Sequence, residues 1–172
     1  MMARTAEAPA PITLRHPSRG DGPAIWALVQ TMEQLESNSC YAYLLLATHF
    51  GDTCLVAEAD GRLVGFVAAY RPPKRPDVIF VWQIGVHAEA RGQGLGGRLL
   101  NALIAQPACR TATHLEATVA HSCKASQHLF SRFAKARGTP CHRGRGFAAT
   151  DFGPLAHEAE TLFRIGPLRR DP

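Results

Sequence analysis

One central segment constrains the fold more than any other: an apolar run, VIFVWQIGV (78–86), followed by the turn HAEARGQGLGG and an amphipathic run. Residues 78–86 are rich in β-branched and aromatic side chains, which predicts a buried central strand. The segment after the turn predicts a helix that stops before Pro107, from apolar residues at helical spacing: Leu95, Leu99, Leu100, Leu103 and Ile104. Strand, glycine turn and helix follow one another directly.

The turn concentrates glycine and arginine where regular structure would not favour them. A glycine inside a regular element costs about 1 kcal/mol relative to alanine, so Gly92, Gly94, Gly96 and Gly97 are expected to serve the turn itself. A helix N-terminus has unpaired N–H groups and a partial positive charge, and glycines let an anion approach them. The turn predicts either a phosphate site or simply a tight helix entry. It lacks both the Gly-Lys-Ser/Thr of nucleotide-hydrolase loops and the G-x-G-x-x-G dinucleotide pattern.

The flanking segments predict an alternation of strands and helices. Two helices are expected before residue 51, the first capped by Asp21 and the second by Ser37 or Asn38. Asp60-Gly61 joins two apolar runs and predicts a hairpin. The later elements are predicted from HLEATV (114–119) as a strand, KASQHLFSRFAKARG (124–138) as a helix closed by Gly138, and strands at Arg145–Phe152 and Thr161–Ile165. With a first strand at 12–16, the predicted order is βααβββαβαββ, an α/β or α+β sheet with helices packed on it.

Composition indicates one soluble domain. The chain has 172 residues, 46% hydrophobic and 19% charged, which is ordinary for a globular protein. We predict a disordered tail at 1–11, one domain at 12–167 and a flexible tail at 168–172. No apolar run reaches the roughly 18 residues of a membrane span, and the N-terminus lacks the apolar core of a secretory signal.

Charge and cysteine content leave two further classes to consider. The net charge of +5 fits either nucleic acid or a polyanionic small molecule. No RNA-recognition pattern with interleaved aromatics is present, so nucleic-acid binding is the less favoured alternative. The five cysteines are odd in number and irregularly spaced, which favours reduced thiols in a cytoplasm. No paired CxxC is present, so no metal is expected.

The segment WQIGVHAEARGQGLGGRLL (82–100) resembles the acetyl-CoA motif of the Gcn5-related N-acetyltransferase superfamily, with Arg91-Gly92-Gln93-Gly94-Leu95-Gly96 at the turn. The resemblance implies that superfamily's fold, a central mixed, mostly antiparallel sheet flanked by helices. It also implies acetyl-CoA as the acetyl donor. Backbone N–H groups of 91–96 would hold the pyrophosphate, and strand backbone at 84–86 would pair with the pantetheine arm. The implied donor contacts are Ile84, Gly85, Val86, Arg91, Gly92, Gln93, Gly94, Leu95, Gly96 and Ser126.

A narrower resemblance covers nearly the whole chain. The segments LESNSCYAYLLLATHF, FVWQIGV, HLEATV and HEAETLFRI are similar to 2,4-diaminobutyrate N-acetyltransferases of ectoine biosynthesis, which acetylate the side-chain amine of diaminobutyrate. The resemblance implies a homodimer acting on small molecules, with no nucleic-acid or membrane partner. Glu36 and Glu158 become candidate proton acceptors, directly or through water. The implied substrate contacts are Glu36, Asn38, Tyr41, Tyr43, Trp82, His157 and Glu158.

Two positions depart from the superfamily pattern. Cys123 stands where many members have Asn, and Phe130 stands where many have the Tyr that protonates the CoA thiolate. A phenylalanine has no proton to give, so the general acid stays unassigned. Glu116 on the HLEATV strand is kept as a reserve base. A different acceptor, such as a polyamine, an aminoglycoside or another amino acid, is the nearest alternative.

Overall fold

A computed structural model of the protein describes residues 11–168. The tails predicted at 1–11 and 168–172 lie outside these residues, apart from positions 11 and 168. The described elements follow the predicted order, βααβββαβαββ, with short 3-10 turns between them. The fold class predicted from the sequence, helices packed on a mixed and mostly antiparallel sheet, is confirmed.

Seven strands form one sheet in the order β1-β2-β3-β4-β5-β7-β6. All neighbours pair antiparallel except β4 and β5, which are parallel. The hairpin predicted at Asp60-Gly61 joins β2 to β3, and both turn residues have positive φ, 50° and 70°. The strand bounds are β1 Thr13–Arg15, β2 Cys54–Ala59, β3 Arg62–Tyr70, β4 Val78–Val86, β5 His114–Ala120, β6 Cys141–Arg145 and β7 Glu160–Ile165.

In the part of the chain that the structure describes, four helices cover the two faces of the sheet. One face carries α1 and α2, which bury Ile25, Val29 and Tyr43 against Val56 and Phe66. The other face carries α3 and α4, whose leucines and phenylalanines pack on β3, β4, β5 and β7. This second cluster is the larger of the two cores. The helix bounds are α1 Gly22–Gln30, α2 Cys40–His49, α3 Leu95–Ala105 and α4 Lys124–Ala136.

The two parallel strands in the middle of the sheet pair over only part of their length. The register of β4 with β5 runs from Val78↔His114 to Phe80↔Glu116 and ends there. On its other side, β4 stays paired with β3, but the register shifts so that Trp82 has no partner residue. Beyond Phe80 the strands therefore diverge, and a gap opens in the sheet beside residues 82–86.

Two details of the predicted elements are wrong. The strand placed at Arg145–Phe152 is β6, Cys141–Arg145, and residues 149–152 form a 3-10 turn. The side chain that caps α2 is Ser39, which accepts from the Ala42 N–H, instead of Ser37 or Asn38. Capping depends on which hydroxyl meets the first turn, and three consecutive polar residues do not distinguish the candidates.

The residue at the N-cap of α1 is the predicted one, but its side chain has a different role. Asp21 occupies the N-cap position without a side-chain cap bond. Its carboxylate instead accepts hydrogen bonds from Ser18 and forms an ion pair with Arg15 at 2.9 Å. The Arg15 guanidinium, as the largest influence, holds the pKa of Asp21 well below its usual range. At the far end of α4, Gly138 has the positive φ expected of a helix C-terminus.

Candidate active site

The glycine turn adopts the backbone conformation that its sequence requires. Gly92 and Gly94 have φ of 78° and 72°, and Gly94 is the N-cap residue of α3. A Cβ at either position would meet no atom within 4 Å, so the space in front of the turn is open. Left-handed φ strongly disfavours other residues there. The turn thus exposes the first N–H groups of α3 to a cleft.

That cleft has a volume of about 700 Å³ and lies between the end of β4, the turn, α3 and α4. Among the predicted donor contacts, Gln93 does not line it; its side-chain amide lies 3.5 Å from the Glu89 carbonyl. The other nine all line this cleft: Ile84, Gly85, Val86, Arg91, Gly92, Gly94, Leu95, Gly96 and Ser126.

Basic side chains line the cleft beyond the turn. Arg91, Arg98, His128 and Arg132 all contribute to the wall, and all four are exposed. Arg91 donates to the Val86 carbonyl at 3.1 Å, and Arg98 donates to the Ile12 carbonyl at 3.1 Å. An anion with several negative groups would be attracted to this wall. Sequence reasoning had singled out only Arg91, because the cations on α3 and α4 become neighbours only in the folded chain.

The loop between α1 and α2, residues 31–39, closes the cleft from the opposite face of the sheet. Met32, Gln34 and Leu35 line the cavity. Gly85 allows this approach, because a Cβ there would lie 2.5 Å from the Met32 Sδ and 2.9 Å from the Leu35 Cδ1. The glycine in WQIGV is therefore a packing requirement, and it lets the loop reach the end of β4.

Glu36, the residue that follows Leu35 in this loop, belongs to a cluster of carboxylate and imidazole groups. His157 Nε2 lies 3.9 Å from a Glu36 carboxylate oxygen and 3.9 Å from a Glu160 carboxylate oxygen. Its ring stacks on Phe152 with centroids 3.8 Å apart, and its Nδ1 lies 2.7 Å from the Glu158 carbonyl. Two carboxylates around one imidazole form an electronegative site suited to a cation.

Glu160 was missed in the sequence analysis, although it lies within the quoted HEAETLFRI segment. It is the first residue of β7 and pairs with Ala120. Strand alternation could have found it: Phe163 and Ile165 face the α3–α4 core, which places residues 160, 162 and 164 on the opposite face. The side chain is 18% exposed, far less than the 69% of Glu36.

Behind the cluster lies a buried polar network on β4. The Tyr43 hydroxyl donates to Gln83 Oε1 at 2.9 Å, and Gln83 Nε2 donates to the Glu36 carbonyl at 2.8 Å. The Asn38 amide reaches the same carbonyl at 3.3 Å. Burial, the largest cause, raises the pKa of Tyr43. Tyr43 thus belongs to the network that supports the Glu36 loop. Half-buried Trp82 lies against the Tyr43 ring, with centroids 5.9 Å apart.

Two other predicted substrate contacts lie apart from this cluster. Tyr41 is 67% exposed on the outer side of α2. Glu158 points away from His157 and accepts hydrogen bonds from the hydroxyl and the backbone N–H of Ser122. The Ser122 hydroxyl, as the first cause, holds the pKa of Glu158 below its usual range. A carboxylate stabilised in this way is a weaker proton acceptor.

Glu116, the reserve base, is fully buried and already paired. Arg75 Nη2 lies 2.8 Å from one of its carboxylate oxygens, and Arg164 contacts the other. Both arginines are partly exposed, so the carboxylate is covered by the two guanidinium groups. A buried carboxylate held between two guanidinium groups forms a structural ion cluster. The geometry does not favour Glu116 as a base.

The two positions that depart from the superfamily pattern both lie at α4. Phe130 is 2% exposed and packs on Phe163 with ring centroids 6.1 Å apart. Cys123 lines the cleft, and its Sγ lies 3.1 Å from the Ser126 hydroxyl. Within residues 11–168, no three His, Cys, Asp or Glu side chains group to hold a metal ion. The same residues contain no helix able to cross a membrane.

Comparison with known proteins identifies the family. Residues 23–134 match the acetyltransferase (GNAT) family. The chain is also 45% identical over 158 residues to the L-2,4-diaminobutyric acid acetyltransferase of Shouchella clausii, covering 92% of this chain and 88% of the relative. This protein belongs to the diaminobutyric acid acetyltransferases of the GNAT family. The L-2,4-diaminobutyric acid acetyltransferase of Halalkalibacterium halodurans is 46% identical, over 91% of this acetyltransferase and 82% of the relative.

A solved structure agrees with the same family. The acetyltransferase superposes on the diaminobutyrate acetyltransferase of Paenibacillus lautus with a TM-score of 0.89 and 38% identity, over 95% of this chain and 99% of that one. The structure of that relative is a complex with its substrate L-2,4-diaminobutyric acid and coenzyme A. The resemblance stated from the sequence segments is therefore confirmed at the level of family and fold.

Proposed function

We propose that this enzyme transfers the acetyl group of acetyl-CoA to the distal amine of L-2,4-diaminobutyrate, a step of ectoine biosynthesis. The observation that carries the proposal is the direct succession of two sites along one loop and one strand. Met32, Gln34 and Leu35 line the phosphate-accepting cleft, and the next residue, Glu36, belongs to the cation-accepting cluster. Named relatives along nearly the whole chain support the same reaction.

The cleft suits the donor in size and in charge. About 700 Å³ is within the range of cofactor sites. The glycine turn would hold the pyrophosphate on the α3 N-terminus, and the basic wall of Arg98, His128 and Arg132 would face its remaining phosphate. Pairing of β4 with β5 stops at Phe80, so the backbone of residues 84–86 has a free side toward the gap. The pantetheine arm would take that place as an added strand.

The cluster around His157 suits the acceptor. Diaminobutyrate carries two ammonium groups and one carboxylate, and each buried charge needs a partner. Glu36 and Glu160 would pair with the ammonium groups, with Trp82 and Tyr43 forming the wall toward β4. Asn38 lies beside the Glu36 carbonyl and would contact the acceptor from the loop.

Proton removal is the chemical requirement at this site. An alkyl ammonium is almost fully protonated at pH 7, and supplying the free amine costs about 4 kcal/mol. Glu36 would accept the proton directly or through water, and His157 Nε2 lies 3.9 Å from its carboxylate and 3.9 Å from that of Glu160. Glu158 was an equal candidate from the sequence, but its bonds to Ser122 make it the weaker acceptor. The free amine would then attack the thioester carbonyl.

Departure of CoA proceeds without a tyrosine at the usual position. Phe130 has no hydroxyl and is buried against Phe163. The CoA thiol has a pKa near that of cysteine, so its thiolate can leave as an anion or be protonated through water.

A thiol-release assay over a panel of amines tests the proposed function. We expect diaminobutyrate to be acetylated with the highest kcat/KM, ahead of ornithine, lysine and spermidine, because each added methylene displaces the amine from the thioester. Product NMR should place the acetyl group on the distal nitrogen. A clear preference for spermidine or an aminoglycoside, or acetylation of the α-amine, would refute the acceptor and leave only the acetyltransferase fold.

We further propose a homodimer of one acetyltransferase domain, residues 12–167, in the cytoplasm. Helix α2 is apolar on nearly all sides, and it exposes Tyr41 and Leu45 one turn apart. An exposed apolar face of this kind is typical of an association surface. Within residues 11–168, the thiols of Cys40, Cys54, Cys123 and Cys141 form no disulfide bond, which fits a reducing compartment. Sedimentation of wild type and Tyr41→Glu would test the dimer: a wild-type monomer contradicts it.

A further inference from the structure

Gln83 occupies an unusual place on the central strand. It is 8% exposed on β4, immediately after Trp82, where the register with β3 shifts. A buried primary amide must satisfy both a carbonyl and an NH₂ group, since an unpaired buried polar group costs free energy. Both groups of Gln83 are bonded. Its carbonyl oxygen accepts from the Tyr43 hydroxyl of α2 at 2.9 Å, and its NH₂ donates to the Glu36 carbonyl of the α1–α2 loop at 2.8 Å.

The bond to Glu36 fixes the backbone of an otherwise exposed residue. The Glu36 side chain is 69% exposed and has no contact shorter than 3.9 Å to His157. Its location therefore depends on its main chain, whose carbonyl accepts from Gln83 and from Asn38. Residues 32, 34 and 35 of the same loop line the cleft proposed for acetyl-CoA, the donor cleft. The Glu36 peptide group therefore lies where the donor cleft meets the cluster proposed for the acceptor.

The strand side of this contact is equally informative. The residues after Gln83 are Ile84 and Gly85, which line the donor cleft, and the residue before it is Trp82, whose ring lies against that of Tyr43. One buried side chain thus links the strand that would hold the thioester arm to the loop that carries the acceptor carboxylate. The separation between these two groups sets which amine chain length reaches the thioester.

We infer that Gln83 is the positioning residue for acceptor length: by binding the Glu36 carbonyl, it fixes the distance between the acceptor carboxylate and the donor strand. The inference rests on the proposed function and deepens it. Only an amide fulfils both contacts at this position. A glutamate would accept from Tyr43 but oppose the Glu36 carbonyl, and a methionine would fill the volume with neither bond.

The test compares acceptor selectivity in Gln83→Met with that of the wild type. We expect the ratio of kcat/KM for diaminobutyrate over ornithine to fall by about tenfold or more, with the KM for acetyl-CoA nearly unchanged, because a misplacement of about 1 Å suffices to change acceptor reactivity. Gln83→Asn keeps an amide but shortens the side chain by one methylene, so it cannot reach both the Tyr43 hydroxyl and the Glu36 carbonyl, and it should shift the ratio in the same direction. It keeps the test decisive if Gln83→Met does not fold.

Gln106→Met is the matched control, because Gln106 also donates from a partly buried amide to a carbonyl, that of Ala102 at 2.9 Å, outside the cleft lining. Its selectivity ratio should equal that of the wild type. An unchanged ratio in whichever of Gln83→Met and Gln83→Asn folds would overturn the inference, while wild-type preference for diaminobutyrate would uphold the proposed function. A wild type that does not acetylate diaminobutyrate would overturn both.

Discussion

Ser122 holds the carboxylate of Glu158 from two sides, donating its backbone N–H at 3.0 Å and its hydroxyl to the second oxygen. The two residues come from different segments, the turn before α4 and the loop before β7. His157 and Glu158 are adjacent in sequence, but they have different partners. His157 faces Glu36 and Glu160, whereas Glu158 faces Ser122.

Ser122→Ala should raise the pKa of Glu158 toward its usual range. The substitution removes the hydroxyl donor, which is the first cause of the lowered pKa, and keeps the backbone N–H. Because the native pKa lies below the unfolded one, this interaction stabilises the fold above the unfolded pKa and is lost as the pH falls through the native value. NMR titration of the Glu158 carboxyl carbon measures the change. Ser131→Ala, on α4, is the control; an unaltered titration in Ser122→Ala would contradict the assignment.

Gly94→Val should weaken acetyl-CoA binding. Gly94 has φ of 72° at the start of α3, facing the open cleft, so valine adds strain and a side chain where phosphate oxygens are proposed to lie. We expect the KM for acetyl-CoA to rise by at least about tenfold. Gly138→Val introduces comparable strain at φ 58°, outside the cleft lining. Calorimetry that finds equal CoA affinity in folded Gly94→Val and Gly138→Val would rule out the turn as the phosphate site.

Phe130→Leu should cost stability but not chemistry. The ring is buried against Phe163, and a smaller side chain loses packing worth about 1–2 kcal/mol. Urea unfolding should report this loss, while kcat stays within about twofold of wild type because the ring has no proton to transfer. A tyrosine at this position should not be needed for activity, which Phe130→Tyr would test. A collapse of kcat in a stable, CoA-binding Phe130→Leu protein would show that this position takes part in the reaction.

Glu36→Gln should reduce kcat/KM for diaminobutyrate by two to three decades, on the order of 3–4 kcal/mol, because an ammonium would lose its charged partner. Glu160→Gln should act in the same direction, since both carboxylates lie 3.9 Å from His157 Nε2. Glu33→Gln, an exposed residue of the same loop, is the matched control. Steady-state kinetics that give Glu36→Gln the activity of Glu33→Gln would remove Glu36 from the site.

Glu116→Gln should destabilise the fold. The carboxylate is fully buried between Arg75 and Arg164, and removing its charge leaves two guanidinium groups without their partner. Breaking such a buried cluster costs about 3–5 kcal/mol, to be measured by urea unfolding. Glu58→Gln, which breaks a partly exposed pair with Arg15, should cost at most about 1 kcal/mol. Equal losses in the two variants would refute the structural role.

The sequence alone determined the elements whose signals are local. Apolar runs, the Asp60-Gly61 pair and the glycine turn set the order of strands and helices, because side-chain periodicity and positive φ are properties of neighbouring residues. The cleft proposed for the donor was predictable for the same reason: the largest group of its lining residues belongs to one continuous segment, 84–96. Strand β6 was misplaced because CHRGR is polar and lies at the sheet edge, where burial gives no pattern.

The residues of the proposed acceptor site come together only when the chain folds. The pairing of β5 with β7 brings Glu160 and His157 to the loop that carries Glu36, and these residues are more than 120 positions apart along the chain. The same folding directs Glu158 to Ser122, encloses Glu116 between two arginines and places Gln83 under the Glu36 carbonyl. Which polar groups meet depends on long-range strand register, and a one-residue shift in register exchanges the faces of a strand.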